Sequence, residues 1–150
     1  MPIVTPLASP FASNATTATN ESVTGQNFPM AAGHTYKGTW WVPVSVAATT
    51  TGVELALDLP AGATVLGINN YIPSIAAVGT DNVQAGTGTD DVGPVATDTA
   101  VTAGTLMRVD FMVKCGSTAG DCQLRIDTDA AAAATVLAGC YCEYRDLLSS

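Results

Sequence analysis

Residues 105–128 read TLMRVDFMVKCGSTAGDCQLRIDT and carry the clearest secondary-structure pattern in the chain. In the first half, apolar side chains occupy every second position: Met107, Val109, Phe111, Val113 and Cys115. The positions between them are mostly charged: Arg108, Asp110 and Lys114. A period of two over so long a run is typical of a half-buried antiparallel strand. We therefore predict a strand whose buried face is centred on Phe111.

The residues that follow predict two more strands. The Gly-containing segment GSTAG, residues 116–120, indicates a hairpin turn. After it, every second residue is again apolar: Cys122, Leu124 and Ile126. An alanine-rich link, residues 130–134, is too short to form a stable helix. The sequence TVLAGCYCEYRDL, residues 135–147, then predicts a single closing strand.

The same alternation runs upstream. Across residues 35–46, one face of a predicted strand carries Tyr36, Gly38, Trp40, Val42, Val44 and Val46. Further strands are predicted at residues 53–59 and 63–72. Residues 76–104 are rich in Gly, Thr, Ala and Asp and predict only short strands, near residues 82–85 and 92–101. About eight short strands separated by turns predict an all-β fold, an antiparallel jelly-roll β-sandwich.

The first 33 residues differ from the rest in composition. They contain one ionisable side chain, Glu21, and four prolines among many Thr, Ser, Ala and Asn residues. Such a stretch has little apolar surface to offset the entropy of ordering it, so a disordered tail is one interpretation. We favour an extended N-terminal arm over residues 1–33 and a jelly-roll domain over residues 34–150. The predicted anchors of the arm on a partner are Ile3, Val4, Leu7 and Phe11.

Composition limits the partners of the chain. Hydrophobic residues make up 47% of it and charged residues 12%, and that charged share is about half the usual one for a soluble domain. A domain with so few charges exposes Thr, Ser, Asn and Ala or buries surface against neighbours, which favours an assembled protein over a free monomer. The formal net charge is −8, and no two of the five basic residues are adjacent. We therefore predict no nucleic-acid partner, because nucleic-acid binding requires clustered Lys and Arg.

Targeting signals are missing from the sequence as it stands. No run of apolar residues approaches the roughly 18 that are needed to span a membrane, so we predict no membrane association. The first residues, MPIVTPLASP, lack a basic n-region and contain three prolines, unlike a secretory signal peptide. We expect a soluble protein made in a cytoplasm, unless a leader was removed.

Residues suited to catalysis are sparse. His34 is the only histidine, and no nucleophile motif accompanies it. We therefore predict no catalytic residue, no cofactor and no enzymatic activity. Four aspartates crowd the middle of the chain: Asp81, Asp90, Asp91 and Asp98. Loop carboxylates can hold Ca²⁺, but their spacing is not that of an EF-hand and solvated loop aspartates are more common, so we predict no metal.

The four cysteines, Cys115, Cys122, Cys140 and Cys142, lie late in the chain at predicted inward positions. Reduced thiols in the core are one interpretation. A second is a disulfide, for which Cys115 and Cys122 are the favoured pair because they flank the predicted hairpin loop. A third is a zinc site, although the C-x-C and C-x6-C spacings differ from the usual C-x2-4-C pattern. The sequence leaves these three readings open.

Trp40 and Trp41 are adjacent, so on a strand they face opposite ways. One belongs to the core, and the other is exposed or lies at a subunit interface. Our interface candidate is Trp41, because a lone large aromatic side chain is costly to leave in water. A platform on which a sugar ring stacks is the functional alternative.

Three stretches carry a resemblance to a known family: residues 31–72, 104–127 and 135–147. They resemble the compact jelly rolls of the complement and tumour-necrosis-factor-like superfamily, in the form found in tailed-phage structural proteins. Gly33, Thr35 and Tyr36 match the G-x-T-Y first strand of that form, and residues 135–141 match its closing T-V-L-A-G-(S/C)-Y strand. The resemblance implies a trimer packed about a three-fold axis and a role on a virion surface.

The first functional hypothesis is therefore a capsid decoration (cement) protein. It would be a homotrimer that binds the major capsid protein on the outer surface of a phage head and stabilises the shell through its N-terminal arms. The alternative is a fibre-tip or receptor-binding module that binds glycans through Trp41 or the Asp-rich loops. The chain has neither the repeats nor the heptads of a fibre shaft, which favours the decoration protein.

Overall fold

A computed structural model describes residues 2–13, 21–46, 53–71, 82–87, 104–128 and 133–147. These residues form ten strands and no helix. The strands are β1 (Phe11–Ala12), β2 (Glu21–Met30), β3 (Thr35–Val46), β4 (Val53–Asp58), β5 (Thr64–Tyr71), β6 (Asn82–Thr87), β7 (Thr105–Lys114), β8 (Gly120–Thr128), β9 (Ala134–Val136) and β10 (Tyr141–Asp146). The described part of the chain also holds no helix long and apolar enough to cross a membrane. The predicted strand at residues 92–101 lies outside the described residues.

The strands form two sheets that face each other. The larger sheet has seven strands in the order β1-β9-β3-β7-β5-β6, with β10 also paired to β3, and the smaller sheet has the order β2-β8-β4. Every strand pairing is antiparallel. The prediction of an all-β, antiparallel jelly-roll sandwich is therefore confirmed.

The centre of the larger sheet is β3, whose two sides are used differently. One side pairs with β7 over ten residues. The other side is shared, because β10 pairs with the first half of β3 and β9 pairs with Val44–Val46. The predicted single closing strand is thus two strands. They are separated by a turn at Gly139, whose φ of 93° is a backbone conformation that glycine adopts without strain.

The predicted hairpin between β7 and β8 is wrong. The chain leaves the larger sheet after Lys114 and enters the smaller sheet at Gly120, so the two strands belong to different sheets. Each strand has one apolar face, and the two faces meet across the sandwich rather than side by side. The alternation of apolar and polar residues shows which face of a strand is buried, but it does not show which strand pairs with it in the sheet.

The core lies between the two sheets and follows the predicted faces. The inward residues of β3 and β7 are buried, and Phe111 is 3% exposed. Its ring stacks on that of Phe28 with the centroids 5.9 Å apart. The ring centroids of Phe28 and Trp40 are 6.5 Å apart. The core prediction centred on Phe111 is confirmed, and the intervening Met112 points outward.

The domain begins well before residue 34. Within the predicted arm, β2 pairs with β8 in the smaller sheet and buries Val23, Phe28 and Met30 in the core. A bulge shifts the register between Ser22 and Asn27 and contains Gly25 at a φ of 80°. This bulge breaks the alternation of apolar and polar residues in ESVTGQNFPM, which is why the sequence conceals a strand there.

The first residues of the chain also fold onto the domain. Residues 2–13, here called the N-terminal segment, run along the free edges of β10 and β9. Backbone N–H groups of Val4 and Leu7 donate to the carbonyls of Cys142 and Cys140 at 2.9 and 2.8 Å, and Ser13 donates to Ala134 at 2.8 Å. The segment therefore covers the edge of its own sheet, a common means of blocking edge-to-edge aggregation.

The predicted capsid-anchoring side chains are mostly engaged within the chain itself. Val4 is 7% exposed, and Leu7 and Phe11 pack partly buried against the core. Only Ile3, at 56% exposure, faces outward. The prediction that these four side chains extend to a partner is corrected for Val4, Leu7 and Phe11, because they pack on the hydrophobic core of their own domain.

A buried glutamine holds the N-terminal segment in place. The side chain of Gln26 is almost wholly buried, and its Nε2 donates to the carbonyl oxygen of Thr5 at 3.1 Å. Its Oε1 lies 3.6 Å from the Cys140 thiol. Gln26 thus links the smaller sheet to the N-terminal segment and to the turn before β10. The bulge of β2 turns this side chain inward, so the sequence pattern gave no sign of its role.

We expect Val4→Asn to destabilise the protein by about 1–3 kcal/mol, because an amide without partners would replace a buried apolar side chain. The matched control is Ile3→Asn, which changes the exposed neighbour in the same segment and should stay within about 0.5 kcal/mol of the parent. Urea unfolding of both variants measures the difference. Equal stabilities would show that the N-terminal segment does not contribute to the folded state in solution.

Candidate interaction surface

The outward-facing side chains of the larger sheet form a broad surface, here called the outer face. Strand registers place Thr39 between Glu143 of β10 and Asp110 of β7, and they place Trp41 between Tyr141 and Arg108. In the next row on the same face, two residues before Thr39, Lys37 lies between Arg145 and Met112. The central strand β3 therefore brings residues from three distant stretches of the sequence into three adjacent rows.

Trp40 and Trp41 face opposite sides of the sheet, as their adjacency predicts. Trp40 is completely buried, whereas Trp41 lies half-buried on the outer face. The guanidinium carbon of Arg108 lies 5.7 Å from the centre of the Trp41 ring, within the range of a cation–π contact. Arg108 Nη2 also donates to Asp110 Oδ2 at 2.9 Å. Arg108 thus covers one side of the indole, which reduces the flat aromatic area open to a sugar ring.

Large apolar side chains stay exposed on the outer face. Leu66 of β5, Leu106 of β7 and Met112 of β7 are 48%, 46% and 37% exposed. Leu106 lies beside Pro43 in the β3–β7 register, next to the row of Trp41. Single exposed apolar residues are ordinary, but several on one sheet face together with a half-buried tryptophan are typical of an interaction surface.

Charge is distributed unevenly over the molecule. The outer face carries four of the five basic residues of the chain: Lys37, Arg108, Lys114 and Arg145. Its described carboxylates are Asp110 and Glu143. Among the described residues, four cations against two carboxylates give this face a charge of +2, whereas the whole chain has a net charge of −8. A positive face on a strongly acidic molecule attracts negatively charged surfaces.

The outer surface of the smaller sheet has the opposite charge. Its described ionic side chains include Asp121 and Asp127 on β8 and Asp58 on β4. Arg125 Nη2 donates to Asp58 Oδ2 at 2.7 Å, which neutralises one of them. The sandwich therefore has one cationic and one acidic side, and its charges give it a preferred orientation on a charged partner.

A cavity of about 290 Å³ opens on the outer face between β3 and β10. We call it the cationic cavity, and its lining is Lys37, Gly38, Thr39, Glu143 and Arg145. Lys37 and Arg145 are directly paired across the two strands, and both side chains are exposed. Within the described ranges, neither side chain forms an ion pair.

The single histidine of the chain lies beside a carboxylate. His34 Nδ1 lies 2.8 Å from Asp146 Oδ2, at one end of the sandwich. Nearby, the Tyr36 hydroxyl accepts a hydrogen bond from the N–H of Ala31 at 2.8 Å, and burial raises the pKa of this phenol. The four aspartates considered for Ca²⁺ lie outside the described residues: Asp81, Asp90, Asp91 and Asp98.

All four cysteines are free thiols buried in the core. The predicted Cys115–Cys122 disulfide is absent, since Cys115 follows β7 in the larger sheet and Cys122 lies on β8 in the smaller one. Burial raises the pKa of Cys140 to about 12 and also raises the pKa values of Cys122 and Cys142. In the described part of the chain, no group of three or more His, Cys, Asp or Glu could hold a metal ion.

Comparison with known proteins gives distant structural likenesses only. No protein-family model matches the chain, and no curated protein matches it in sequence. One similar structure is the N-terminal endo-1,4-β-D-xylanase 10B of Clostridium thermocellum complexed with xylohexaose, with 19% identity over 75% of this chain and 17% of that chain, at a TM-score of 0.33.

Two further similar structures come from infectious bursal disease virus. The VP2 subviral particle has 12% identity over 95% of this chain and 36% of that chain, at a TM-score of 0.26. The Gt strain structure has 10% identity over 99% of this chain and 38% of that chain, at a TM-score of 0.22. The chain thus spans well under half the length of each of these structures, and similarities this low do not assign it to a family.

Proposed function

We propose that this protein is a virion structural protein that decorates the outer surface of a phage head and stabilises the shell. The proposal rests on the outer face, where exposed apolar side chains and four cations occur together on a chain of net charge −8. Such a face is suited to binding a protein surface. A homotrimer in contact with the major capsid protein is the assembly that we expect.

The route of attachment that we propose differs from the one predicted from the sequence. Since Val4, Leu7 and Phe11 pack on their own domain, the N-terminal segment supplies little apolar surface to a shell. The outer face offers Leu66, Leu106 and Met112 instead, beside Trp41. We therefore propose that the sheet face, rather than an arm, makes the main contact with the partner.

Glycan binding is less well supported by the geometry. A sugar-binding platform needs an aromatic ring whose face is open, and the Arg108 guanidinium stands over the ring of Trp41. The neighbouring Asp110 already accepts hydrogen bonds from Arg108 and from the Thr39 hydroxyl. These polar groups are satisfied within the protein, which leaves fewer of them to bind sugar hydroxyls.

Virions made without the protein should package DNA and infect, but they should release DNA at a lower temperature than complete virions. Decoration that binds only the intact shell shifts the equilibrium away from disassembly. Heating both kinds of particle and measuring DNA release with an intercalating dye tests this. Equal thermal survival together with lost adsorption to host cells would contradict the proposal and favour a fibre-tip role.

The same particles locate the contact surface. Leu106→Asp adds a charge on the outer face, where it should keep the fold but prevent decoration when the purified variant is added back to virions that lack the protein. Thr24→Asp is the matched control, because it adds the same charge at an exposed position on β2 of the smaller sheet. Full decoration by both variants would show that the outer face is not the contact.

A further inference from the structure

The cationic cavity combines features that a structural role does not explain. Lys37 and Arg145 lie directly opposite each other on β3 and β10. Like charges at directly opposed positions of an antiparallel pair destabilise a sheet. An arrangement of this kind costs stability in the free protein and is relieved when an anion binds between the two cations.

The charge inside the cavity indicates the kind of anion. Two cations, Lys37 and Arg145, and one carboxylate, Glu143, give the lining a formal charge of +1. A single carboxylate neutralises this charge, whereas a phosphate dianion would leave an excess of negative charge next to Glu143. A guanidinium also binds a carboxylate through two parallel N–H···O bonds, which fixes its orientation.

The surroundings indicate that the carboxylate belongs to a protein. Lys37 has Met112 as its other cross-strand neighbour, and Leu66 lies on the adjacent strand β5. An anionic group that enters the cavity is therefore next to exposed apolar surface. An aspartate or glutamate within an otherwise apolar protein surface complements both the positive charge of the cavity and the apolar surface beside it. Free DNA complements only the positive charge.

We propose that the cationic cavity binds one aspartate or glutamate side chain of the protein surface on which the outer face sits. Under the function proposed above, on which this inference rests, that surface belongs to the shell. The carboxylate accepts hydrogen bonds from Arg145 and pairs with Lys37, while the apolar residues beside the cavity exclude water from the pair. Binding should therefore weaken as salt concentration rises.

A solution experiment tests the cavity without any virion. The probe is the peptide acetyl-Leu-Glu-Leu-amide, titrated into the labelled full-length protein while NMR signals of the Lys37 and Arg145 side chains are followed. We expect saturable shifts with this peptide, no saturable shift with acetyl-Leu-Gln-Leu-amide, and loss of binding in Lys37→Gln/Arg145→Gln. Equal responses to both peptides, or tighter binding of inorganic phosphate, would overturn the assignment.

A second experiment asks whether the cavity serves attachment. Lys37→Gln/Arg145→Gln should bind virions that lack the protein about tenfold more weakly than the parent, since charge-assisted contacts are lost. Lys114→Gln is the control for a general charge effect, because it removes an exposed cation of the same face that is not part of the cavity lining, so it should weaken binding less. An equal loss in both variants would show a general charge effect and overturn the cavity assignment.

The outcomes of the two experiments separate the two proposals. Failure of the parent protein to bind virions contradicts the function as a decoration protein, while the peptide titration still decides whether the cavity takes a carboxylate. Normal attachment of Lys37→Gln/Arg145→Gln contradicts the proposed role of the cavity and leaves decoration intact. Circular dichroism of each variant establishes that it is folded before either result is interpreted.

Discussion

Replacing Phe111 with alanine is expected to lower the free energy of unfolding by about 3–5 kcal/mol, through lost burial and the cavity left behind. The ring is 3% exposed and lies between the two sheets, stacked on Phe28. A loss of this size is a large share of the total stability of a single domain. Urea unfolding monitored by tryptophan fluorescence measures it, with Trp40 as the buried reporter.

The neighbourhood of Phe111 explains why the site cannot collapse easily. Gly38 lies opposite Phe111 in the β3–β7 register, and a Cβ added there would be 2.5 Å from Phe111 Cζ and 2.6 Å from the Glu143 carbonyl oxygen. The phenyl ring thus fills the space above a residue that has no side chain. Without the ring, Gly38 offers nothing to fill the void, which places the cost toward the upper end of the range.

The matched control is Met112→Ala, the next residue of β7. Met112 faces outward at 37% exposure, so its truncation should change stability by less than about 1 kcal/mol. A melting temperature for Phe111→Ala within two degrees of the parent would contradict the orientation of β7. It would also contradict every other inward position assigned on this strand, because alternate residues share a face.

Strand faces could be read from the sequence because a strand has a strict period of two. Wherever that period was undisturbed, as in β3, β7 and β8, the buried residues are the ones predicted. The pattern failed at β2, where a bulge at Gly25 shifts the register and turns Gln26 inward. The predicted domain boundary at residue 34 was wrong because this bulge hid the strand pattern of β2.

The candidate site depends on strand order, which alternation does not encode. Lys37 and Arg145 are far apart in the sequence, and Lys114 lies between them. They share one face only because β3 pairs with both β7 and β10. Trp41 could be identified from its adjacency to Trp40, whereas the clustering of cations on a chain of net charge −8 required the structure.

The three most deeply buried thiols should make the protein progressively less stable as the pH rises above about 8.5. Burial raises the pKa of Cys140 to about 12, and it also raises the pKa values of Cys122 and Cys142. In the unfolded chain each thiol ionises near pH 8.5. Above that pH the unfolded state loses protons that the folded state keeps, so the contribution of these thiols to stability is complete below about pH 8.5 and declines as the pH rises.

The expected slope is about 1.4 kcal/mol per pH unit for each thiol, or about 4 kcal/mol per pH unit for the three together. A domain stabilised by about 5–15 kcal/mol would then unfold within a few pH units above 9. Urea unfolding at pH 8, 9 and 10 under reducing conditions measures this slope. Cys140→Ala should reduce it by about a third, because that variant has one fewer thiol to ionise on unfolding. An identical slope in the parent and in Cys140→Ala would show that other groups cause the alkaline unfolding, and unchanged stability up to pH 10 would show that these thiols ionise equally in both states.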